Sequence, residues 1–248
     1  MMKILLSNDD GVLAPGLLVL RERLSQIGHV TVIAPESDSS GSSSALSLSQ
    51  PLRIKELEKD YFSLKGTPAD CVHAALTGLL NFIPDIVISG INNRSNLGDD
   101  IIYSGTFAAA YEGRMLNYPA ISLSMVSHSN TPKYDTAAQV CIDIINTFNT
   151  NAFFTSGVLN VNVPDVDYNA LKGTKITNFG NRPLSQPIIH GTDPRGGGYF
   201  WLGLRNTPDD TADTHTDFYA VKHGYVSMSP FNLNMTCVDM FSQLIKLF

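Results

Sequence analysis

The sequence has few cysteines and little charge. It contains three cysteines among 248 residues, at positions 71, 141 and 237, and charged residues make up 16% of the chain. An odd count without a CxxC pair does not predict a disulfide framework or a cysteine zinc site, so we expect free buried thiols in a reducing compartment. The net charge is −6 and no Lys/Arg cluster is longer than two residues, which excludes a long nucleic acid held by phosphate neutralisation.

The sequence also lacks an apolar run that could cross a membrane. Its apolar N-terminal run, 1–6, turns polar at Ser7 and is too short for a secretory signal peptide, and no later run reaches about 18 residues. We therefore expect a soluble, cytoplasmic protein without a membrane partner.

Several catalytic signatures are missing as well. The chain has no GxxxxGK[ST] loop, no GxGxxG after a strand, no GxSxG elbow, and no HExxH or paired histidine spacing. These absences remove the main support for a P-loop enzyme, a dinucleotide-binding enzyme, an α/β-hydrolase and a histidine-ligated zinc enzyme.

What is present is an alternation of strand-like and helix-like segments. This pattern predicts an α/β protein with a Rossmann-like, mostly parallel sheet sandwiched by helices, in which ligands bind at the carboxyl ends of strands. The predicted strands are 3–7, 29–34, 85–89, 120–124 and 158–163, the predicted helices are 15–26, 67–80, 106–115 and 134–146, and 37–49 and 90–105 are predicted loops.

The pattern changes after residue 165, where we place the boundary between a core, 1–165, and a C-terminal region, 166–248. Segments 172–189 and 199–204 look extended and enclose a Gly-, Asp- and Pro-rich stretch at 191–198. Segment 218–229 is partly strand-like, and 239–248 forms a short amphipathic tail. We expect a C-terminal β-hairpin or arm, a returning strand and a terminal helix, with the arm pairing with a second subunit.

The strongest chemical signal is a pair of carboxylates, Asp9 and Asp10, directly after the first strand. Adjacent carboxylates repel each other, a divalent cation removes the repulsion, and a bend at Gly11 lets both groups converge. The alternative is an ordinary turn whose aspartates cap the following helix.

Three further polar segments follow a strand or open a helix. A serine-rich loop with Ser39 and Ser40 follows the second strand, and a loop with Asn92 and Asn96 follows the third; either could ligate a hard cation, although the serine loop alone could be a solvated loop. Ser104-Gly105-Thr106 opens a helix, where free N–H groups favour phosphate, although Ser104 and Thr106 could be ordinary N-caps. Because these segments share one edge of a parallel sheet, their oxygen atoms together suit Mg²⁺ or Mn²⁺ better than Zn²⁺.

Six motifs occur between residues 5 and 230. They are SNDDG after the first strand, SG in the loop after AP, GTPADCV, SGIN followed by NLGDD, YSGT-AAA-EG, and TD-AV--GYVS--P. Together they resemble the SurE family, in which the motifs occur in this order.

The resemblance implies a metal-dependent phosphatase that hydrolyses nucleoside 5'-monophosphates, and also 3'-monophosphates, with one divalent metal ion, Mg²⁺ or Mn²⁺, per subunit. It also implies a C-terminal hairpin that swaps into a partner to give a homodimer or homotetramer. The implied metal ligands are Asp9, Asp10, Ser40 and Asn92, with Asp9 and Asp10 also catalytic. The implied phosphate-binding residues are Asn96, Ser104, Gly105 and Thr106.

The chain departs from the family pattern at two positions. Ser37-Asp38 stands where basic residues usually precede the loop serine, which leaves open whether Ser39 or Ser40 is the ligand. Arg94 replaces a glycine; a positive φ there would strain it, and otherwise its side chain could reach the phosphate or the base.

The sequence leaves parts of the mechanism open. Either aspartate could orient the attacking water, and a covalent aspartyl-phosphate is a further alternative. Two rival functions are a nucleotide-binding regulator without turnover and a Rossmann-type sugar-nucleotide transferase, although the latter would need a second nucleotide-binding half for which the chain has little room.

Overall fold

A computed structural model describes residues 1–151, 156–206, 208, 213–232 and 245. The strands in this part of the chain are β1 (Met2–Ser7), β2 (Gly28–Pro35), β3 (Ile54–Glu58), β4 (Tyr61–Leu64), β5 (Ile86–Asn92), β6 (Ala120–Val126), β7 (Val158–Pro164), β8 (Thr174–Ile176), β9 (Ile189–Thr192), β10 (Gly198–Trp201) and β11 (Val226–Phe231). Strands β9 and β10 form a hairpin, and the others form one sheet in the order β3-β4-β2-β1-β5-β6-β7-β11-β8.

The helices are mostly short and begin at recognisable N-terminal signals. For example, the Thr67 side chain accepts the Asp70 N–H at 3.0 Å, and the Asp70 carboxylate accepts the Thr67 N–H at 2.9 Å, ahead of Pro68 in the first turn. The α-helices are α1 (Pro15–Leu24), α2 (Pro68–Ala74), α3 (Gly105–Glu112), α4 (Tyr134–Asn151) and α5 (Asp217–Lys222), and 3₁₀ helices cover Gly98–Tyr103 and Tyr168–Ala170.

The central sheet is mostly parallel. Strand β1 pairs in parallel with β2 and β5, and the pairs β2–β4, β5–β6 and β6–β7 are parallel too, whereas β3 and β11 run antiparallel to their neighbours β4 and β7. Since parallel strands end at the same edge, the loops after β2, β1 and β5 lie side by side.

Helices cover both faces of the sheet. The side chains of Ile4 and Leu6 point to one face and pack with α1 and α4, whereas Leu5 between them points to the other face and packs with α2 and α3. Burial on both sides explains why β1 reads as a continuous apolar run. The predicted α/β, Rossmann-like architecture is confirmed.

Three parts of the fold differ from the sequence prediction. The antiparallel pair β3–β4 was not predicted, because β3 is an edge strand with every residue exposed and no apolar–polar alternation. Segment 218–229, predicted as partly strand-like, begins with α5, whose N-cap Thr216 accepts the Tyr219 N–H at 3.2 Å, and only its second half is the strand β11. The predicted loop 90–105 also contains the 3₁₀ helix Gly98–Tyr103.

The C-terminal region contributes strands to the central sheet and also forms a separate hairpin. Strand β11 pairs with β7 and β8, whereas the hairpin β9–β10 forms its own two-stranded sheet. The predicted terminal tail, 239–248, lies outside the described residues except for position 245. Within the described ranges no helix is long and apolar enough to cross a membrane. Cys71 and Cys141 are buried and free as predicted, and Cys237 lies outside the described part.

Candidate active site

The predicted carboxylates lie at the end of β1, on the sheet edge where ligands are expected. Gly11, with φ of 101°, turns the chain sharply, and the Asn8 side-chain amide donates to the Gly11 carbonyl at 2.9 Å. The Ser39 N–H donates to the Asp9 carbonyl at 2.8 Å, which ties the serine-rich loop after β2 to this turn. The structure therefore places these two loops side by side, as the sequence predicts.

Burial and mutual repulsion disfavour charge on both carboxylates. Asp9 is only 3% exposed, and desolvation raises its pKa above the ordinary value, although hydrogen bonds from Thr106 act in the opposite direction. Desolvation, and secondly the charge of Asp9, raise the pKa of Asp10 to about 6. Its pKa is partly lowered by a hydrogen bond from the Asn93 backbone and by the nearby Arg94. Neither carboxyl group therefore has enough nearby positive charge to bring its pKa back to the ordinary value.

The start of helix α3 contacts the carboxylate pair directly. The Thr106 hydroxyl donates to Asp9 Oδ1 at 2.5 Å, and Thr106 is fully buried. A Cβ on Gly105 would come within 2.8 Å of the Asp9 Cβ, so this position requires glycine. Ser104 is the N-cap of α3 and accepts the Phe107 N–H at 3.0 Å, which confirms the capping interpretation for this residue. Together, these contacts put a helix N-terminus beside two acids.

Asn96 is held in place by a network of buried polar groups. Its side-chain amide donates to the Ser124 hydroxyl at 2.8 Å and, at 3.4 Å, to the Thr106 hydroxyl. Its backbone N–H donates to Asn162 Oδ1 at 2.9 Å, and its carbonyl accepts the amides of Asn160 and Asn162. We call Asn96, Ser104, Gly105 and Thr106 the phosphate cradle.

The sequence prediction missed the residues that support Asn96. Asn160 and Asn162 are fully buried in β7, within the segment VLNVNV, and Ser124 is fully buried in β6. Polar side chains at alternate positions of an otherwise apolar strand are a usable signal, since buried amides need partners.

The serine-rich loop places Ser39 and Ser40 differently. The Ser40 hydroxyl is exposed and donates to Asp38 Oδ1 at 2.7 Å, and this bond is the largest of the effects that lower the pKa of Asp38. The Ser39 hydroxyl donates to the Ser37 carbonyl at 3.2 Å. Both oxygens keep lone pairs for a cation, so each serine remains a candidate ligand.

Asn92 ends β5 next to the carboxylates. It is 7% exposed, and its side-chain amide donates to the Arg94 carbonyl at 2.8 Å, which turns its Oδ1 into the atom available as a ligand. Arg94 is exposed and does not have a positive φ, so the strain considered for a glycine replacement is absent. Its charge acts on both Asp10 and Asp38.

The donor atoms at this edge fit a hard divalent cation. Two carboxylates, an amide oxygen and a serine hydroxyl form an all-oxygen set, which suits a hard cation. The described residues contain no group of three or more His, Cys, Asp or Glu side chains that could hold a metal ion, so Asn92 and a serine would have to complete the set. The Asn8 Oδ1 and the Ser42 hydroxyl are buried without a hydrogen-bond partner in the described part of the chain. Burial disfavours the charged form of both aspartates, and a bound cation would favour it.

Comparisons with known proteins identify the family of the chain. The family model described as survival protein SurE matches residues 4–186. A protein of Legionella pneumophila (strain Corby) named 5'-nucleotidase SurE is 49% identical over 246 residues, which cover 99% of this chain and 97% of the relative. A protein of the same name from Xylella fastidiosa (strain M12) is 48% identical over 240 residues, covering 95% and 91%.

A solved structure shows the same fold over the whole chain. The crystal structure of the SurE protein from Aquifex aeolicus superimposes with a TM-score of 0.87 at 37% sequence identity and covers 99% of both chains. With a family model that matches most of the chain and relatives that are nearly half identical over its length, the chain belongs to the SurE family.

Proposed function

We propose that the protein is a metal-dependent phosphatase that hydrolyses nucleoside 5'-monophosphates, and also 3'-monophosphates, to nucleoside and phosphate. The observation that carries the proposal is the contact between the carboxylate pair, buried Asp9 and partly exposed Asp10, and a helix N-terminus, made by the bond from Thr106 to Asp9. A cation site and an anion site that touch each other suit a phosphate monoester. The relatives named 5'-nucleotidase SurE support the choice of a nucleotide.

The cation would be held by Asp9, Asp10, Ser40 and Asn92, as one Mg²⁺ or Mn²⁺ ion per subunit. When bound, such an ion offsets the negative charge that develops on the phosphoryl group and makes the attacking water more acidic. Asp9 and Asp10 would supply the negative charge for the ion. Burial and the charge of Asp38 raise the pKa of both, and the charge of Asp9 also raises that of Asp10, so a bound cation would favour their ionised forms.

The phosphate cradle would bind the remaining phosphate oxygens. Asn96 donates one amide hydrogen to Ser124 at 2.8 Å and would exchange its longer, 3.4 Å bond to the Thr106 hydroxyl for a phosphate oxygen. Gly105 is the first residue of α3, where backbone N–H groups have no helical partner, whereas Thr106 already bonds Asp9 through its hydroxyl and its N–H. Of the two acids, Asp10 is the better placed to orient the attacking water, because Asp9 Oδ1 already accepts the Thr106 hydroxyl.

The test is a panel of nucleoside 5'- and 3'-monophosphates, assayed for phosphate release with added Mn²⁺ and with EDTA. We expect many turnovers per subunit with metal and none with EDTA, and the Asp9→Ala and Asp10→Asn variants should lose the metal-dependent activity. Near wild-type activity in both variants would contradict the proposed site. Binding of the nucleotides without turnover would favour a nucleotide-binding regulator instead.

We also propose that the protein forms a homodimer or homotetramer through its C-terminal arm. The hairpin β9–β10 exposes three neighbouring aromatic side chains, Tyr199, Phe200 and Trp201, at 48%, 60% and 70% of their surface. Adjacent residues of a strand point to opposite faces, so this hairpin exposes aromatic surface on both faces, which favours contact with another protein surface. Light scattering of the wild type and of a Trp201→Ser variant would test this, and a monomeric wild type would contradict it.

Two expectations from the sequence stay predictions. One is the boundary at residue 165 between a core and a C-terminal region, which limited proteolysis would test. The other is the cytoplasmic location, which fractionation of the source cells would test.

A further inference from the structure

The phosphate cradle is connected by one short 3₁₀ helix. Asn96 lies before this helix, which covers Gly98–Tyr103, and Ser104, Gly105 and Thr106 follow it directly. Any shift of the helix therefore changes the spacing between Asn96 and the start of α3. Contacts that fix the position of this 3₁₀ helix therefore also restrain the phosphate cradle.

The helix is fixed at its first residue by a fully buried carboxylate from α5. Asp217 Oδ2 accepts the Gly98 N–H at 2.6 Å, and Asp217 Oδ1 accepts the Gly180 N–H at 3.0 Å. Gly98 has φ of 56°, and a Cβ there would lie 2.2 Å from the Gly180 carbonyl oxygen. The C-terminal region thus packs closely against the start of the helix.

A second attachment joins the helix to the stem of the arm, by which we mean residues 182–206 around the hairpin β9–β10. Arg182 Nε lies 2.6 Å from Asp100 Oδ2, and Arg205 pairs with the other oxygen, Asp100 Oδ1. The two arginines come from opposite ends of the arm. The Asp100 and Arg182 side chains are only 15% and 18% exposed, so solvent screens this ion pair less than a surface pair.

Hydrogen bonds also join the two segments of the stem, one before and one after the hairpin. The Gln186 N–H donates to the Leu204 carbonyl at 2.9 Å, and Arg182 Nη1 donates to the Asn206 carbonyl at 3.0 Å. The Arg205 guanidinium also lies over the Tyr103 ring, 4.5 Å from its centre, at the last residue of the helix. The stem therefore contacts the helix at both Asp100 and Tyr103.

We propose that Asp100 is a positioning residue for phosphate binding, which acts by fixing the 3₁₀ helix, and with it the phosphate cradle, to the stem of the arm through Arg182 and Arg205. The proposal rests on the proposed function of the site. Asp9 and Asp10 lie on the turn after β1, and the bond from Thr106 to Asp9 joins α3 to that turn independently of Asp100. Loss of Asp100 should therefore loosen the segment from the 3₁₀ helix to Gly105, weaken phosphate binding and leave the cation ligands in place. The arm and the affinity for phosphate are coupled by this contact.

The test is the Asp100→Asn variant, which keeps the size of the side chain and removes its charge. We expect KM for AMP to rise by about fivefold, with kcat changed by less than about twofold, because a cradle that is displaced binds substrate and transition state less well by a similar factor. The dissociation constant for inorganic phosphate, measured by calorimetry, should rise by the same factor. The affinity for Mn²⁺ should stay at the wild-type value.

A matched control is Asp193→Asn, which makes the same change at the tip of the arm. Asp193 is exposed and accepts only backbone N–H groups from its own turn, at Arg195 and Gly197. This control should keep the wild-type KM and the wild-type affinity for phosphate. A rise in KM for Asp193→Asn equal to that of Asp100→Asn would overturn the proposal.

A second variant keeps the test valid if Asp100→Asn folds poorly. Arg205 has a side chain that is 42% exposed, so Arg205→Ala should fold and raise KM by about twofold, since Arg182 remains paired. Unchanged phosphate affinity in both variants, or an equal loss of Mn²⁺ affinity, would overturn the proposal. A wild type without turnover would contradict the proposed nucleotidase instead, while the phosphate calorimetry would still test Asp100.

Discussion

The two halves of the site differ in how their buried polar atoms are satisfied. In the carboxylate half, the pKa values of Asp9 and Asp10 are raised by burial, and the Asn8 Oδ1 has no partner among the described residues. In the phosphate half, Asn96 is bonded through its side chain, its N–H and its carbonyl, and the neighbouring Asn160 Oδ1 is an atom without a partner among the described residues. In the free protein the first half has raised pKa values and an unpartnered buried oxygen, whereas Asn96 in the second half is held by the protein's own hydrogen bonds.

This difference has a thermodynamic consequence. A group that waits for a ligand costs stability in the free protein and gains it on binding, whereas a group that is already bonded contributes to stability at all times. Substitutions in the two halves should therefore have opposite effects on the metal-free protein.

The largest effect is expected for Asp9→Asn. This change removes one charge from the cation site but keeps an oxygen that can accept the Thr106 hydroxyl, and we expect the metal-dependent rate on AMP to fall about 1,000-fold. In EDTA the variant should unfold at the same temperature as the wild type or higher, because a buried charge has been removed. Asp135→Asn, at a 76% exposed carboxylate paired with Arg23, is the matched control for the rate. A clear loss of metal-free stability for Asp9→Asn would break the comparison.

The next effect is expected for Asn162→Leu in the phosphate half. Leucine has a similar size, but it leaves the Asn96 N–H without its partner, so the free energy of unfolding should fall by about 2–3 kcal/mol. Chemical denaturation with and without Mn²⁺ should show this loss in both conditions. Asn149→Leu, at an exposed amide, should change the stability by less than about 0.5 kcal/mol. An equal cost at both positions would show that the Asn96 network is not preorganised as described.

The stability of the metal-free protein should fall as the pH rises through the range in which Asp10 titrates. Asp10 binds its proton more tightly in the folded protein, where its pKa is about 6, than at its ordinary value of 3.8, so the stabilisation is complete below pH 4 and is lost above pH 6. Asp10 is partly exposed to solvent, so we discount the full linkage and expect a loss on the order of 1–2 kcal/mol.

Thermal unfolding in EDTA between pH 4 and pH 7 would measure this slope. The Asp10→Asn variant should show a flatter profile, because asparagine does not titrate. Saturating Mn²⁺ should remove most of the loss in the wild type. A wild-type profile in EDTA that is as flat as that of the variant would contradict the assignment of the raised pKa to Asp10.

The smallest effect is expected for Arg94→Ala. The Arg94 charge lowers the pKa of Asp10, which means that it already stabilises the ionised carboxylate and competes with a cation for it. Because Arg94 is exposed, its removal should tighten Mn²⁺ binding by only about twofold. The change should disappear in high salt, and titration of Mn²⁺ at two salt concentrations would show whether it does.

Much of the fold could be predicted from the sequence because buried parallel strands leave a strong local pattern. Strand β1 and its turn at Gly11 are examples, since an apolar run followed by Asp9 and Asp10 has few other interpretations. Strand β3 could not be predicted, because its stability comes from pairing with β4 at the edge of the sheet and its own residues are all exposed. Helix α5 is short, and its cap at Thr216 lies next to apolar residues that resemble a strand.

The candidate site was predicted unevenly for a similar reason. The residues that would touch the ligands follow strands or open a helix, so their position in the sequence suggests their role. The residues that hold them, such as Asn160 and Asn162, lie about 64 and 66 positions away from Asn96 and reveal this contact only in three dimensions. The family resemblance, rather than the local pattern, supplied the choice of Ser40 and Asn92.

Gly105 limits how this site can change. A Cβ at this position would lie 2.8 Å from the Asp9 Cβ, so strand β1 and helix α3 approach each other as closely as two main chains with these residues can. The gap between the acids and the helix N-terminus is thus a property of the scaffold, and no side-chain replacement can narrow it. New substrate preferences in such a protein would have to arise around the part of the ligand beyond the phosphoryl group.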